Sequence, residues 1–397
     1  MSRRSVSSLG QGHPAVVLDL SANGLGIIRS LRRQGIAVYA FDTEPKYQIG
    51  KTRVALCGIC PHPVYEEEQL LRFLLVLGQT FSQKAVLYAG ADDYVEFVSR
   101  HRERLSASYS FLLPEHSLIE AVLDKRLTYQ LAVRYGIPCP KTFVVEDAMQ
   151  VEEAIPHVIF PCILKPVFSS DYRKRLNKKA IVVEDAEQLR RDYPYYRQFG
   201  AILLQEWIPG DETCLVGVGT LFDGHMNLLG MFSGQKIHQY PPYFGSGTVA
   251  VSRRDEAAIQ ETLSFFTDLQ FKGLAKIEYK RDVRDGQLKF IEINARTWFW
   301  NSLAARCGVD LSYLYYLSLT GQDPDPVTTQ AEGIKWVYFV RDLIAFWQKR
   351  KDGNITVRQW LTNLSGPKEY ALFAWDDPMP SIRSLISHLK NAWKNRR

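Results

Sequence analysis

The chain has 397 residues, 46% hydrophobic and 23% charged, a globular balance that suits two or three domains. No apolar run approaches the roughly 18 residues that a membrane-spanning helix needs, and a net charge of +6 is too modest to suggest a nucleic-acid partner. The six cysteines are scattered, which argues against a disulfide framework and for a reducing, cytoplasmic compartment.

The opening "MSRRSVSSLGQGHP" is basic but has no apolar h-region, so residues 1–14 read as a disordered lead-in rather than a secretory signal. "AVVLDL" then predicts a strand, "NGLGIIRSLRRQG" a helix with Leu25, Ile28 and Leu31 on one side, and "IAVYAFD" a second strand. "AVLYAG" and "DDYVEFVSRHRERL" repeat the rhythm, which predicts a parallel sheet with helices on both faces. Gly24 and Gly26 invite a dinucleotide-binding reading, and with it a nucleotide-dependent oxidoreductase. The third glycine position, however, holds Arg29. Cys57 and Cys60 have metal-like spacing, but a structural zinc site needs a second ligand pair.

In "DKRLTYQLAVRYGIPCPKTFVV", Asp124 can cap a helix that runs to Tyr135 and stops at Gly136. "FPCILKPV" is an apolar strand with Lys165 inside it, an expensive lysine to bury unless an anion such as phosphate meets it. The segment 201–234 holds three strand-like stretches, and "LAKIEYKRDVRDGQLKFIEINAR" predicts a hairpin turned at Asp285-Gly286. That hairpin can bring Glu278, Glu292 and Asn294 onto one face. Such a cluster repels itself unless a cation sits in it, and magnesium prefers hard oxygen ligands of this kind.

From Ile334 onward the chain has twelve basic and five acidic residues and five of its eight tryptophans. This composition suits an amphipathic helical unit packed on the body, or peripheral contact of residues 334–397 with an anionic membrane surface.

Taken in order, these residues resemble the ATP-grasp superfamily of carboxylate–amine ligases, in particular its D-aspartate-ligase-like members, over roughly residues 15 to 325. The resemblance implies a mixed α/β and α+β fold: a parallel-sheet pre-ATP-grasp domain (15–120), a small lobe (121–204), a large lobe (205–330) and a helical extension (331–397). It implies ATP and Mg2+, with Mn2+ as a substitute. Lys125 and Lys165 match the nucleotide-binding lysines. Gln205, Glu206, Trp207 and Ile208 in "QEWIPGDE" match the hinge at the adenine, and Glu212 the ribose contact. Glu278, Glu292 and Asn294 match the metal ligands.

Lys276 stands where many family ligases have arginine. Arg296 would face a substrate carboxylate or phosphate, and Lys236 would lie by the acceptor and the γ-phosphate. The loop "FSSDYRKRLNKKA" departs from the glycine-rich pattern, leaving Ser169 and Ser170 to contact phosphate. The implied reaction phosphorylates a small-molecule carboxylate, which an amine then attacks. The resemblance also points to an amine carried by a cell-envelope precursor, and to a homodimer, since related ligases are often dimers. A non-catalytic nucleotide-binding protein at a membrane surface is the alternative.

Overall fold

The computed structural model describes residues 12–167, 180–242 and 244–394, with side chains to 390. The N-terminal domain is a five-stranded sheet in the order β3-β2-β1-β4-β5, parallel throughout: β1 (Ala15–Leu18), β2 (Val38–Asp42), β3 (Leu56–Ile59), β4 (Ala85–Ala89) and β5 (Tyr109–Ser110). Helix α1 (Ala22–Arg33) starts at Ser21, whose side chain accepts from the Asn23 N–H, and buries Leu25, Ile28 and Leu31 as their spacing predicts. Helix α2 (Asp92–Arg100) carries two acidic residues in its first turn, where the helix dipole favours them.

The two glycines of α1 answer to packing. A Cβ on Gly24 would lie 1.9 Å from the Asp19 carbonyl oxygen, and one on Gly26 would lie 2.0 Å from Oδ1 of Asn301. Arg29, at the third position, donates to the Leu372 carbonyl at 2.8 Å and faces Asp377 at 3.4 Å. The stretch that invites a dinucleotide reading is therefore where α1 meets the rest of the chain. Cys57 and Cys60 diverge, with Cys57 beside Thr52 and Cys60 beside the Tyr94 hydroxyl.

Helix α3 (Lys125–Arg134) is capped by Asp124, as expected. The small antiparallel sheet after it has the order β6-β9-β7-β8: β6 (Thr142–Val145), β7 (Cys162–Pro166), β8 (Ile181–Val183) and β9 (Ile202–Glu206). Ser169 and Ser170, with the basic residues Arg173 to Lys179 that follow them, lie outside the described residues.

The third sheet has seven strands in the order β14-β13-β10-β11-β12-β15-β16. These are β10 (Leu215–Phe222), β11 (Leu228–Tyr240), β12 (Ser246–Ser252), β13 (Gly273–Arg281), β14 (Leu288–Asn294), β15 (Lys335–Val337) and β16 (Lys368–Tyr370). Val216, Val218, Ala275, Ile277, Tyr279, Phe290 and Ile293 pack on one of its faces, against helix α4 (Glu256–Asp268). The other face meets the N-terminal domain at one end through Leu221, Phe232, Leu274, Trp298 and Trp300.

The C-terminal extension is helical, as expected, but it also supplies β15 and β16 and so widens this sheet. Its helices are α5 (Phe339–Lys351), α6 (Val357–Leu364) and α7 (Met379–Lys394). Asp342 of α5, fully buried, docks them. It accepts from His238 Nδ1–H at 2.9 Å, from the Thr248 hydroxyl at 2.8 Å and from Trp360 Nε1–H at 2.8 Å. The His238 ring is held on its far side by Asn363 Nδ2–H, 2.9 Å from Nε2. A fully satisfied buried network of this kind fixes one arrangement, and losing its centre strands several polar groups. Asp342→Ala should lower stability by about 2–4 kcal/mol and make residues after 338 more sensitive to protease, as read by urea denaturation and limited proteolysis.

Candidate active site

The register of β13 and β14 builds the centre of the site. Glu278 pairs with Glu292 and Lys276 with Asn294, so four polar side chains form a block on one face. That face is the one opposite α4, because Ile277 and Tyr279 point the other way. Strict alternation along β14 would put Phe290 on the same face as Glu292. It does not, because the register slips between Glu278 and Tyr279, leaving Ile291 as an extra residue. The bulge turns Phe290 into the core while Glu292 and Asn294 stay on the site face.

Lys236 reaches the same place from β11. Its ammonium bonds one oxygen of Glu278, and Lys276 bonds the other at 2.6 Å. All three residues are almost fully buried. Burial alone would raise the Glu278 carboxyl; the charges of Lys236 and then Lys276 overcome it and hold the group at about 2. Glu292 is exposed and accepts from Asn294 Nδ2–H at 3.1 Å.

The floor under these side chains is made by glycine. Gly217 and Gly219 on β10, and Gly234 on β11, lie where the indoles of Trp298 and Trp300 rest. A Cβ would come within 1.8 Å of Trp298 at Gly219, within 2.7 Å of Trp300 at Gly234, and within 2.7 Å of the Lys276 stem at Gly217. Lys276 Nζ lies 5.0 Å from the Trp300 ring centre, a cation–π contact that fixes the lysine from the side. The sequence signal was the alternation "VGVGT", which strips one face of a strand of its side chains, together with "TWFW" some 80 residues on. Neither was singled out as part of a site.

Lys165 of β7 is the second focus. Its ammonium donates to Gln205 Oε1 at 2.8 Å and lies 5.2 Å from the Tyr129 ring centre. Gln205 in turn donates to Thr142 at 2.8 Å. The Tyr129 hydroxyl donates to the carbonyl of the bulged Ile291 at 2.8 Å, so the small sheet and β14 are joined through one polar chain. Burial, then the like charge of Lys125, push Lys165 down to about 7, with Glu292 pulling in the opposite direction. Lys125, Lys165 and Glu292 therefore share one electrostatic neighbourhood.

In the segment expected to form the hinge, Trp207 N–H donates to Pro161 O at 3.3 Å. Its ring packs edge-on to Phe244 at 5.7 Å and faces Lys280 Nζ at 5.2 Å. Ile208 is buried, and Glu206 pairs with Arg284. Glu212 is buried against Lys349 of α5, with the ammonium 2.7 Å from its carboxylate. Arg296 is paired with the N-terminal domain. Its Nε–H donates to Asp92 of α2 at 2.7 Å, and NH1 donates to the Thr297 carbonyl.

Lys349 and Arg341, both on α5, were not identified from sequence. Arg341 lies 5.7 Å from the Tyr240 ring centre, 6.0 Å from that of Phe299 and 5.5 Å from that of Tyr338. No carboxylate or carbonyl among the described residues bonds its guanidinium. No local pattern could have placed either residue, because α5 meets Glu212 and Tyr240 across more than 100 positions of chain.

Two carboxylates and an amide on one face suit a hard divalent cation by donor type. Both Glu278 oxygens are now bonded to ammonium groups, so a metal there would have to share or replace a lysine.

No family model matches the chain. A D-aspartate ligase of Enterococcus faecium (strain Aus0004) is 29% identical over 303 residues, 71% of this chain and 70% of that protein. The biotin carboxylase domain of the Hydrogenobacter thermophilus 2-oxoglutarate carboxylase, solved with MgADP and bicarbonate, superposes with a TM-score of 0.62 at 17% identity, covering 80% of this chain and 72% of that one. An L-amino acid ligase from Bacillus licheniformis gives a TM-score of 0.59 at 16% identity, covering 79% and 75%. The two structural likenesses speak for the fold.

The glycine floor can be tested directly. Gly219→Ala should destabilise the protein by about 1–3 kcal/mol or prevent soluble expression, because the added methyl meets a packed indole. Gly224→Ala, with open space around it, serves as the control in the same thermal melt.

Proposed function

Proceeding from the ATP-grasp fold that this chain carries, we propose that it is an ATP- and magnesium-dependent ligase. It activates a carboxylate as an acyl phosphate, joins it to an amine through a C–N bond and releases ADP and phosphate. The observation that carries the proposal is the block of Glu278, Glu292 and Asn294 beside Lys236 and Lys276, with Lys165 facing it from the small lobe. The identity to a D-aspartate ligase favours an amino-acid carboxylate, with D-aspartate first among candidates. An amine borne by a cell-envelope precursor is the acceptor that this resemblance offers.

In this reading the nucleotide lies between the lobes. The backbone of Glu206 to Ile208 edges the adenine beside Gln205 and Trp207, and Glu212, oriented by Lys349, takes the ribose hydroxyls. Lys125 and Lys165 hold phosphate oxygens, joined by Ser169 and Ser170 of the basic loop. Glu278, Glu292 and Asn294 would hold Mg2+, with Glu278 sharing or releasing one of its lysines, and the ion would supply positive charge to offset that of the phosphates.

Lys276 and Lys236 steady the transferred group. Both are pre-positioned by Glu278, and charge held in a water-poor setting acts strongly on a developing anion. Lysine gives Lys276 a point charge in place of arginine's fork. Arg296, tied to Asp92, reaches a substrate carboxylate only by leaving that partner; in the conformation described it joins the large lobe to the N-terminal domain.

The decisive experiment is phosphate release from ATP across a panel of amino-acid carboxylates and amines. Stimulation by a matched pair is expected. Glu292→Gln should reduce it on the order of 10²-fold with the melting temperature unchanged, because Glu292 is exposed and its loss strands nothing. No stimulation by any pair, or a Glu292→Gln protein as active as the parent, overturns the reading.

A pH test addresses Lys165 separately. The free protein holds Lys165 near 7, so below that pH the ammonium is already charged and nucleotide binding takes up no proton. Above it the free lysine is neutral, a bound phosphate restores the charge, and binding takes up as much as one proton. ATP affinity should therefore fall as pH rises through 7, by up to about tenfold per unit. Calorimetry in buffers of different ionisation enthalpy measures the uptake, which Lys165→Met should abolish.

A further inference from the structure

Helix α7 is docked the opposite way round from an ordinary surface helix. Among its described side chains, which run to residue 390, the buried ones are Pro380 and Ser384. Its large apolar residues face outward: Met379, Ile382, Leu385, Ile386 and Leu389 are 41, 45, 47, 46 and 61% exposed. Ile382, Leu385, Ile386 and Leu389 have the i, i+3, i+4, i+7 spacing that normally marks the face turned to a core. Two polar contacts tie the helix to the body. Ser384 Oγ lies 3.4 Å from the Tyr338 hydroxyl, and the Arg383 guanidinium donates to the Lys51 carbonyl. Just before it, the Trp375 side chain is 91% exposed. A contiguous apolar stripe, with an exposed indole four residues before the helix begins, marks a surface that something else covers.

Charge chooses among the candidates. Residues 378–397 contain Arg383, Lys390, Lys394, Arg396 and Arg397 and no acidic residue. A second copy seated on this stripe would bring two segments of the same basic composition together. An anionic bilayer supplies both things the helix lacks, an apolar layer for the leucines and isoleucines and negative headgroups for the basic residues. Tryptophan is also at home at that depth.

We propose that α7, with Trp375, is a docking surface for an anionic phospholipid membrane, the helix lying in the plane of the interface. No helix among the described residues is long and apolar enough to cross a bilayer, so the contact is peripheral. The proposal does not depend on the ligase reading.

The full chain should co-sediment with vesicles of equimolar phosphatidylglycerol and phosphatidylcholine. It should bind pure phosphatidylcholine much more weakly and be released from the anionic vesicles by salt. The double variant L385D/L389D should lose on the order of tenfold or more in apparent affinity. Its melting temperature should match the parent's, because both leucines are exposed. Absence of sedimentation with the anionic vesicles overturns the proposal, as does sedimentation that the double substitution leaves unchanged. So does sedimentation velocity that finds a parent dimer which the double variant dissociates, since the stripe would then belong to a second copy. Phosphate release in vesicle-free solution, measured in parallel, reports on the ligase reading alone.

Discussion

A carboxylate with almost no water around it must have cations, and the arrangement around Glu278 follows from that requirement. Two ammonium groups, one on each oxygen, hold it ionised. Their stems need room, which the side-chain-free faces of Gly217, Gly219 and Gly234 provide. Their ammonium ends need a wall, which the Trp300 indole provides for Lys276. Removing Glu278 would leave two buried ammonium groups uncompensated, a far larger loss than that of an exposed ion pair. Such a centre is rigid and highly polarised before any ligand arrives, and pre-positioned charge is what phosphoryl and acyl transfer demand of a protein.

The second focus is softer. Lys165 is held by a neutral amide and a tyrosine ring instead of a carboxylate, and its charge is marginal near neutral pH. The two foci belong to different sheets, linked through Tyr129 to the bulged backbone at Ile291. One lobe thus offers fixed charge and the other a charge that an incoming anion can complete.

Local patterns carried much of this in the sequence. Alternation of strand and helix signals predicted the parallel sheet, Asp124 and Gly136 the bounds of α3, and Asp285-Gly286 the hairpin that sets Glu278 opposite Glu292. What stayed hidden was of two physical kinds. The bulge at Ile291 breaks the period that strand reading relies on, so strict alternation puts Phe290 on the face of Glu292 instead of in the core. Lys349, Arg341 and the Asp342 network depend on residues about 100 positions apart coming together, and nothing local encodes that. Arg296 shows the converse: a residue well placed by pattern has its guanidinium taken by Asp92, 204 positions away.

The two short strands of the extension carry a further consequence. β12 has its outer edge covered by β15, and β15 by β16, yet residues 335–370 emerge from the ribosome more than 80 positions after β12. Until they do, the widest sheet in the molecule presents an open edge, the kind of surface on which nascent chains pair wrongly. His238 likewise waits for Asp342 and Asn363. Two three-residue strands thus cover an edge that the longer strands made before them leave unpaired.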